Sequence, residues 1–351
     1  LVNLVQSLFG SLPSGLALVG FLACAVFTAL TGASGVTIVA LGALLLPALT
    51  RAGYDERFGL GLVTTSGSLG LLLAPSVPLI LYGIVAQQLD VGEPFTLYQL
   101  FQAGILPMLL MLFCLMGWTL WRHRGGVVPR VPFSRSRLWA ALKAARWELP
   151  LPVVVLGSIY SGWVAISEAA AVTAIYVTVA EVLLYREVHW RQLPKVMSDA
   201  MVMVGGILLV LGVALAFTNF LVDAEVPQRL FALTQRHIES ALGFLLLLNV
   251  LLLVLGAMLD VFSALVIVVP LILPVAVGYG IHPVHLGIIF LANMQIGYFT
   301  PPVGMNLFIA SYRFRKPLHE LYAASWPFML VLLAALLLIT YVPWSSLAFI
   351  D

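Results

Sequence analysis

Two parts of the chain gather small and oxygen-bearing residues in otherwise apolar surroundings. The first reads Thr31-Gly32-Ala33-Ser34-Gly35-Val36-Thr37, then Ser66-Gly67-Ser68-Leu69-Gly70 and, further on, Ala74-Pro75-Ser76. The second reads Gly256-Ala257-Met258-Leu259-Asp260-Val261-Phe262-Ser263, then Asn293-Met294-Gln295-Ile296-Gly297 and Thr300-Pro301-Pro302-Val303-Gly304. Neutral hydroxyl, amide and carbonyl oxygens suit a hard cation such as Na⁺, and the absence of a His/Cys grouping leaves no transition-metal site to expect. The alternative role of such residues is close helix packing in a bilayer. Ionisable groups within apolar sequence are functional candidates by default, which singles out Asp260 and Glu168. Glu168 follows Ser167 at a helix start, where an acid also favours the helix dipole. Cys24 and Cys114 stand alone in apolar runs and read as inert thiols. His282 and His285 flank Pro283 with no partner suggesting catalysis. An intramembrane enzyme would need a nucleophile and base or two facing acids, and no His or Lys falls in the breaks, so no enzyme is expected.

The elements that hold these groups must be membrane helices. The 351 residues are 62% hydrophobic and 9% charged, against roughly 25% charged in a soluble domain. Apolar runs occupy 13–31, 34–50, 58–86, 99–121, 149–161, 163–185, 200–222, 240–258, 261–277, 285–312 and 320–343. They do not alternate in polarity as barrel strands do. A net charge of +2 points away from nucleic acid, and the scarcity of charge rings points away from an aqueous pore. Pro47, Pro270 and Pro274 mark two short runs, while Pro75, Pro78 and Pro301–Pro302 interrupt two long ones. Lipid tolerates a freed backbone only where it is buried in protein or lines a cavity.

Sliding the sequence by 227 residues lays Pro47 on Pro274, Gly53 on Gly280, Gly70 on Gly297 and Pro75 on Pro302. Loop charge orients the two copies. Loop 122–146 is strongly basic and lies inside, and Arg51 and Arg57 mark the base of the first short pair. Asp90 and Glu93 follow the first broken helix, whereas Arg313, Arg315 and Lys316 follow the second. The copies are therefore predicted to be inverted, each with a re-entrant hairpin and a broken helix, an arrangement found in secondary transporters. The same symmetry places about 78 further residues ahead of Leu1, so an N-terminally truncated chain is expected. No signal peptide is visible.

Several motifs resemble the large membrane subunit, of DctM type, of tripartite ATP-independent periplasmic (TRAP) transporters. They are Thr-Gly-Ala-Ser-Gly at 31–35, Gly-Tyr-Asp-Glu-Arg-Phe at 53–58, Ser-Gly-Ser-Leu-Gly at 66–70, Ser-Glu-Ala-Ala-Ala at 167–171 and Thr-Pro-Pro-Val-Gly-Met-Asn-Leu-Phe at 300–308. Ala74-Pro75 stands where that family often has two prolines. The resemblance implies an elevator-type, Na⁺-coupled carrier in the bacterial inner membrane. Residues 1–98 and 240–312 would form the halves of the transport domain, with scaffold and connecting helices at 99–239 and a scaffold helix at 313–351. It also implies a four-helix small membrane subunit and a periplasmic solute-binding protein as partners, a small organic acid as cargo, and no cofactor besides Na⁺. One cation site would use Ser34, Gly35, Ser66, Gly70 and Pro75, and the other Asp260, Ser263, Asn293, Gly297 and Pro301. Thr37, Ser68, Ser76, Thr300, Gly304 and Asn306 are the candidate solute ligands. With no arginine in tips or breaks, a carboxylate would rest on helix N-termini and backbone amides. The alternative is a stand-alone Na⁺/dicarboxylate symporter of the same architecture, needing no receptor.

Overall fold

A computed structural model describes residues 14–124, 135–144, 146–147, 150, 157, 166–238 and 240–350. The expected span 149–161 and the loop segment 125–134 fall essentially outside these residues. The first copy comprises α1 (Gly15–Thr31), α2 (Ser34–Arg51), α3 (Glu56–Ser66), a 3₁₀ turn (Leu69–Leu72), α4 (Val77–Gln88) and α5 (Leu97–Arg122). Next come α6 (Arg135–Ala144), α7 (Ile166–Val179) with a π turn at Ala180–Leu184, α8 (Leu193–Asp223) and α9 (Val226–His237). The second copy comprises α10 (Ala241–Met258), α11 (Val261–Gly278), α12 (Pro283–Gly297), α13 (Met305–Phe314) and α14 (Leu318–Tyr341), followed by the short α15 (Trp344–Leu347). Among the described residues the regular elements are all helical.

The internal repeat holds at the level of single hydrogen bonds. Helix α2 ends with Gly53 at φ +86° and α11 with Gly280 at φ +76°, a left-handed conformation open mainly to glycine. At the first, Tyr54 N donates to Leu49 O (3.0 Å) and Gly53 N to Thr50 O (3.1 Å). At the second, Ile281 N donates to Ala276 O (3.0 Å) and Gly280 N to Val277 O (2.8 Å). Both are Schellman caps, which satisfy carbonyls a helix end leaves open. The following helices are capped alike. Asp55 Oδ1 accepts from Arg57 N (3.3 Å), and His282 Nδ1 accepts from Val284 N (3.1 Å).

The long apolar runs resolve into half-helices. Helices α3, α4, α12 and α13 have 11, 12, 15 and 10 residues, each short of the roughly 20 needed to cross the hydrocarbon layer. Each break holds one cis X-Pro bond, Ala74–Pro75 in the first and Pro301–Pro302 in the second. The bases of the two hairpins lie at opposite ends of the fold, as inversion requires. Glu56 beside the first base pairs with Lys316 after α13 (2.9 Å), and Glu93 after α4 pairs with His282 beside the second base (3.3 Å).

Helices α5 and α14, expected in the scaffold, pack without an intervening side-chain layer on the first broken helix. A methyl on Gly104 would lie 2.1 Å from Leu72 O, and one on Gly61 2.2 Å from Ala324 O. Span 200–222 extends back to Leu193. The amphipathic α9, absent from the sequence reading, lays Phe231 against Gly278 and Tyr279. Helix α8 leaves Val202, Leu209 and Val213 exposed, as a helix facing lipid or another apolar surface would.

Candidate functional site

The two hairpin tips meet at one cavity of about 550 Å³. Ser34, Gly35 and Val36 line it from the first tip, Asp260 and Phe262 from the second, and Tyr298 from the end of α12. Leu71, Met305 and Ile309 make much of the remaining wall apolar.

The tips are electrostatically unlike. Helix α11 begins at Asp260, whose Oδ1 accepts from Phe262 N and Ser263 N (both 3.0 Å) while Ser263 Oγ donates to Oδ2 (2.5 Å). Val261 N donates to Tyr298 Oη (2.8 Å). The first-turn amides are therefore satisfied there, and a carboxylate sits among them. Helix α2 begins after Ala33, which has no side chain to cap it. The amides of Ser34, Gly35 and Val36 belong to the turn a helix leaves unbonded, and they have no partner among the described residues. Ser34 is 5% exposed and its hydroxyl makes no hydrogen bond there either. An anion entering the cavity meets free donors at the first tip and an acid at the second.

Behind the first tip, Thr28 Oγ1 lies 2.6 Å from Thr37 Oγ1 and donates to Gly67 O (2.8 Å), tying hairpin to break. Ser66 Oγ donates back to Leu62 O (2.6 Å). Behind the second tip, the equivalent Asn293 Nδ2 donates to Ile289 O (2.8 Å), one turn back in the same way. Ser68 Oγ donates to Gln295 O (2.9 Å), a pair separated by the repeat length of 227, so the breaks touch across the internal symmetry. Gly70 and Gly297 occupy matching crossings. A Cβ at the first would lie 2.2 Å from Ala25 O, and one at the second 2.6 Å from Gly256 C. These glycines let backbones meet.

The other expected site residues fall around the second break and in the core. Thr300 Oγ1 donates to Ile296 O (2.9 Å), Gly304 N to Ala257 O (2.9 Å) and Asn306 Nδ2 to Thr64 O (3.2 Å). Pro75 and Pro301 lie within the cis-linked turns. Of the expected residues, Ser34, Gly35 and Asp260 line the cavity; Thr37, Ser66, Ser68, Ser76, Asn293 and Asn306 are buried and are not part of its lining. Seven buried side-chain oxygens have no partner among the described residues: Ser76 Oγ, Asn293 Oδ1, Gln295 Oε1 and Asn306 Oδ1 belong to the breaks and their flanks, and Tyr54 Oη, Thr119 Oγ1 and Ser325 Oγ lie elsewhere. Unsatisfied buried oxygens are costly, and neutral ones of this kind fit a hard cation. No group of three or more His, Cys, Asp or Glu is placed to hold a metal among the described residues.

Sequence reasoning missed Thr28, Tyr298 and Asn249. Asn249 is a lone amide inside an apolar run, a signal that was present. Thr28 lies one turn before the tip. Tyr298 gives no sequence signal, because an aromatic next to a break reads as ordinary core.

The model of the family described as "Tripartite ATP-independent periplasmic transporter, DctM component" matches residues 1–345. The C4-dicarboxylate TRAP transporter large permease protein DctM of Rhodobacter capsulatus is 37% identical over 360 residues, covering 99% of this chain and 81% of its own. The isethionate TRAP transporter permease protein DctMQ of Oleidesulfovibrio alaskensis is 34% identical over 345 residues, covering 98% of this chain and 53% of its own. Among solved structures, the Alcanivorax borkumensis YdaH transporter superposes with a TM-score of 0.64 at 17% identity, covering 98% of this chain and 80% of its own. That likeness carries the fold alone. Family and relatives are transport permeases, so the intramembrane-enzyme reading is set aside and the chain is a multi-pass inner-membrane protein. The chain belongs to the DctM-component family of tripartite ATP-independent periplasmic transporters.

Proposed function

We propose that this TRAP large permease takes up a small organic anion coupled to Na⁺, with a C4-dicarboxylate as the first class to test. The contrast between the tips carries the reading: free amides and the unpaired Ser34 hydroxyl at α2, against the Asp260 cap at α11. The solute's anionic group would rest on the first tip, and the apolar wall would take its carbon skeleton. The unpaired oxygens of Asn293 and Asn306 would face coupling cations near the breaks. A cation shifts the carrier only by its differential affinity for two states. Because α5 and α14 touch the first broken helix through backbone, we place them in the body that moves with the hairpins in an elevator motion.

A periplasmic receptor would deliver the solute and a small membrane subunit would complete the complex. The relative named DctMQ, of which this chain covers 53%, is consistent with the second requirement. The test is uptake of a labelled C4-dicarboxylate by the full transporter in liposomes, with isethionate as competitor and the receptor present or absent. Receptor-dependent uptake that Ser34→Ala weakens is the expected result. Uptake that ignores both Ser34 and the receptor would overturn the proposal.

A further inference from the structure

Asn293 is fully buried on α12, one turn before Gly297. Its Nδ2 donates to Asn249 Oδ1 (2.7 Å) and to Ile289 O (2.8 Å), so both amide hydrogens are engaged. Turning the amide over would set Oδ1 against two acceptors. These contacts therefore fix Oδ1 as the atom left without a partner among the described residues. Asn249, on α10, is held in turn from α14: its Nδ2 donates to Thr340 Oγ1 (3.1 Å), and its Oδ1 lies 3.3 Å from the same hydroxyl. The chain continues to His285, whose Nε2 lies 3.2 Å from Thr340 O and whose Nδ1 lies 2.6 Å from Ser346 Oγ. This fits a neutral ring with its hydrogen on Nε2. All five side chains are at most 3% exposed.

The fold does not demand this chain. At the equivalent places in the first copy stand Leu22 for Asn249, Phe113 for Thr340 and Phe58 for His285. The equivalent of Asn293 is Ser66, whose single oxygen can both donate and accept by rotating. A carboxamide has two different ends, and only the second copy needs a device to choose between them.

We infer that Asn249, clamped by Thr340, is a positioning residue that turns the Asn293 carboxamide so that Oδ1 is a ligand of the coupling cation. The inference rests on the Na⁺-coupled reading above. Removing a residue that orients a metal ligand costs about 10–100-fold in metal affinity.

The test is thermal unfolding of the purified full-length permease in detergent, titrated with NaCl against choline chloride at constant ionic strength. A ligand that binds the folded state raises Tm with its concentration. Asn249→Leu is expected to raise the Na⁺ concentration for half-maximal stabilisation about tenfold or more. Asn249→Asp, which keeps an acceptor for Asn293 Nδ2, should restore it to the wild-type value or below. Adding Asn249→Leu to Asn293→Ala should change it no further. A merely structural Asn249 would lower Tm in choline without moving the Na⁺ midpoint, and that result overturns the inference. If Asn293→Ala shifts the midpoint and Asn249→Leu does not, positioning fails while the cation site stands. If Asn293→Ala leaves the midpoint unchanged, the cation site at this break fails, and the positioning role fails with it.

Discussion

Replacing Gly70 by Ala tests the packing that positions both breaks. The new Cβ would stand 2.2 Å from Ala25 O and 2.4 Å from Ala29 N, about 1.2 Å short of the 3.4 Å at which ordinary contact begins. The obstruction is backbone of α1, which has no rotamer with which to give way. Over-packing a core costs about 1–3 kcal/mol when side chains can shift, so the cost here lies at the upper end, near 3 kcal/mol. That corresponds to a Tm loss on the order of 5–10 °C. Moving α1 from the break by about 1 Å would also separate Thr28 Oγ1 from Gly67 O, now 2.8 Å apart, beyond hydrogen-bond range. Thermal unfolding followed by size-exclusion fluorescence reads the loss. Gly117→Ala is the control, since nothing lies within 4 Å of a Cβ there. It should be neutral or slightly stabilising, because alanine is the better helix former. A Gly70→Ala protein as stable as Gly117→Ala would refute the reasoning.

Other substitutions probe the tips and loops. Tyr298→Phe leaves the buried Val261 amide without its acceptor, so a stability loss of about 1–3 kcal/mol is expected in thermal unfolding. Asp260→Ala removes the acceptor of two amides and a hydroxyl and should cost about 1–2 kcal/mol; Asp260→Asn, keeping an acceptor, should recover much of it. Burial lowers the pKa of His282, with Glu93 opposing, and its neutral Nδ1 caps α12. A base with a lowered folded pKa stabilises fully above its unfolded value, about 6.5, and loses that contribution as pH falls through the folded value. His282→Asn, an uncharged cap, should flatten the fall in Tm over that acidic window.

Much of the architecture was legible because a membrane helix must satisfy its own backbone, so prolines and glycines in apolar runs stand out. Pro75, Pro302, Gly53 and Gly280 located the breaks and the hairpin bases, and loop charge set Arg51 and Lys316 at one end. The structure places Glu56, beside the first hairpin base, 2.9 Å from Lys316. The packing of α5 and α14 was not legible, because glycines such as Gly61 and Gly104 declare a close approach only when the partner backbone is known. At the site, residue types pointed to the tips and breaks, yet not to which tip is capped. That depends on Asp260 reaching its own helix and on Tyr298 arriving from elsewhere in the chain. The Asn249–Asn293 pair escaped because its members lie 44 residues apart and meet only in three dimensions.

The most direct test of Na⁺-coupled anion uptake is a gradient experiment on the full transporter in liposomes, with receptor present and membrane potential clamped. An inward Na⁺ gradient should drive accumulation of a labelled C4-dicarboxylate, collapse of that gradient should release it, and Asn293→Ala should raise the Na⁺ requirement. Accumulation that proceeds equally in choline would contradict the coupling.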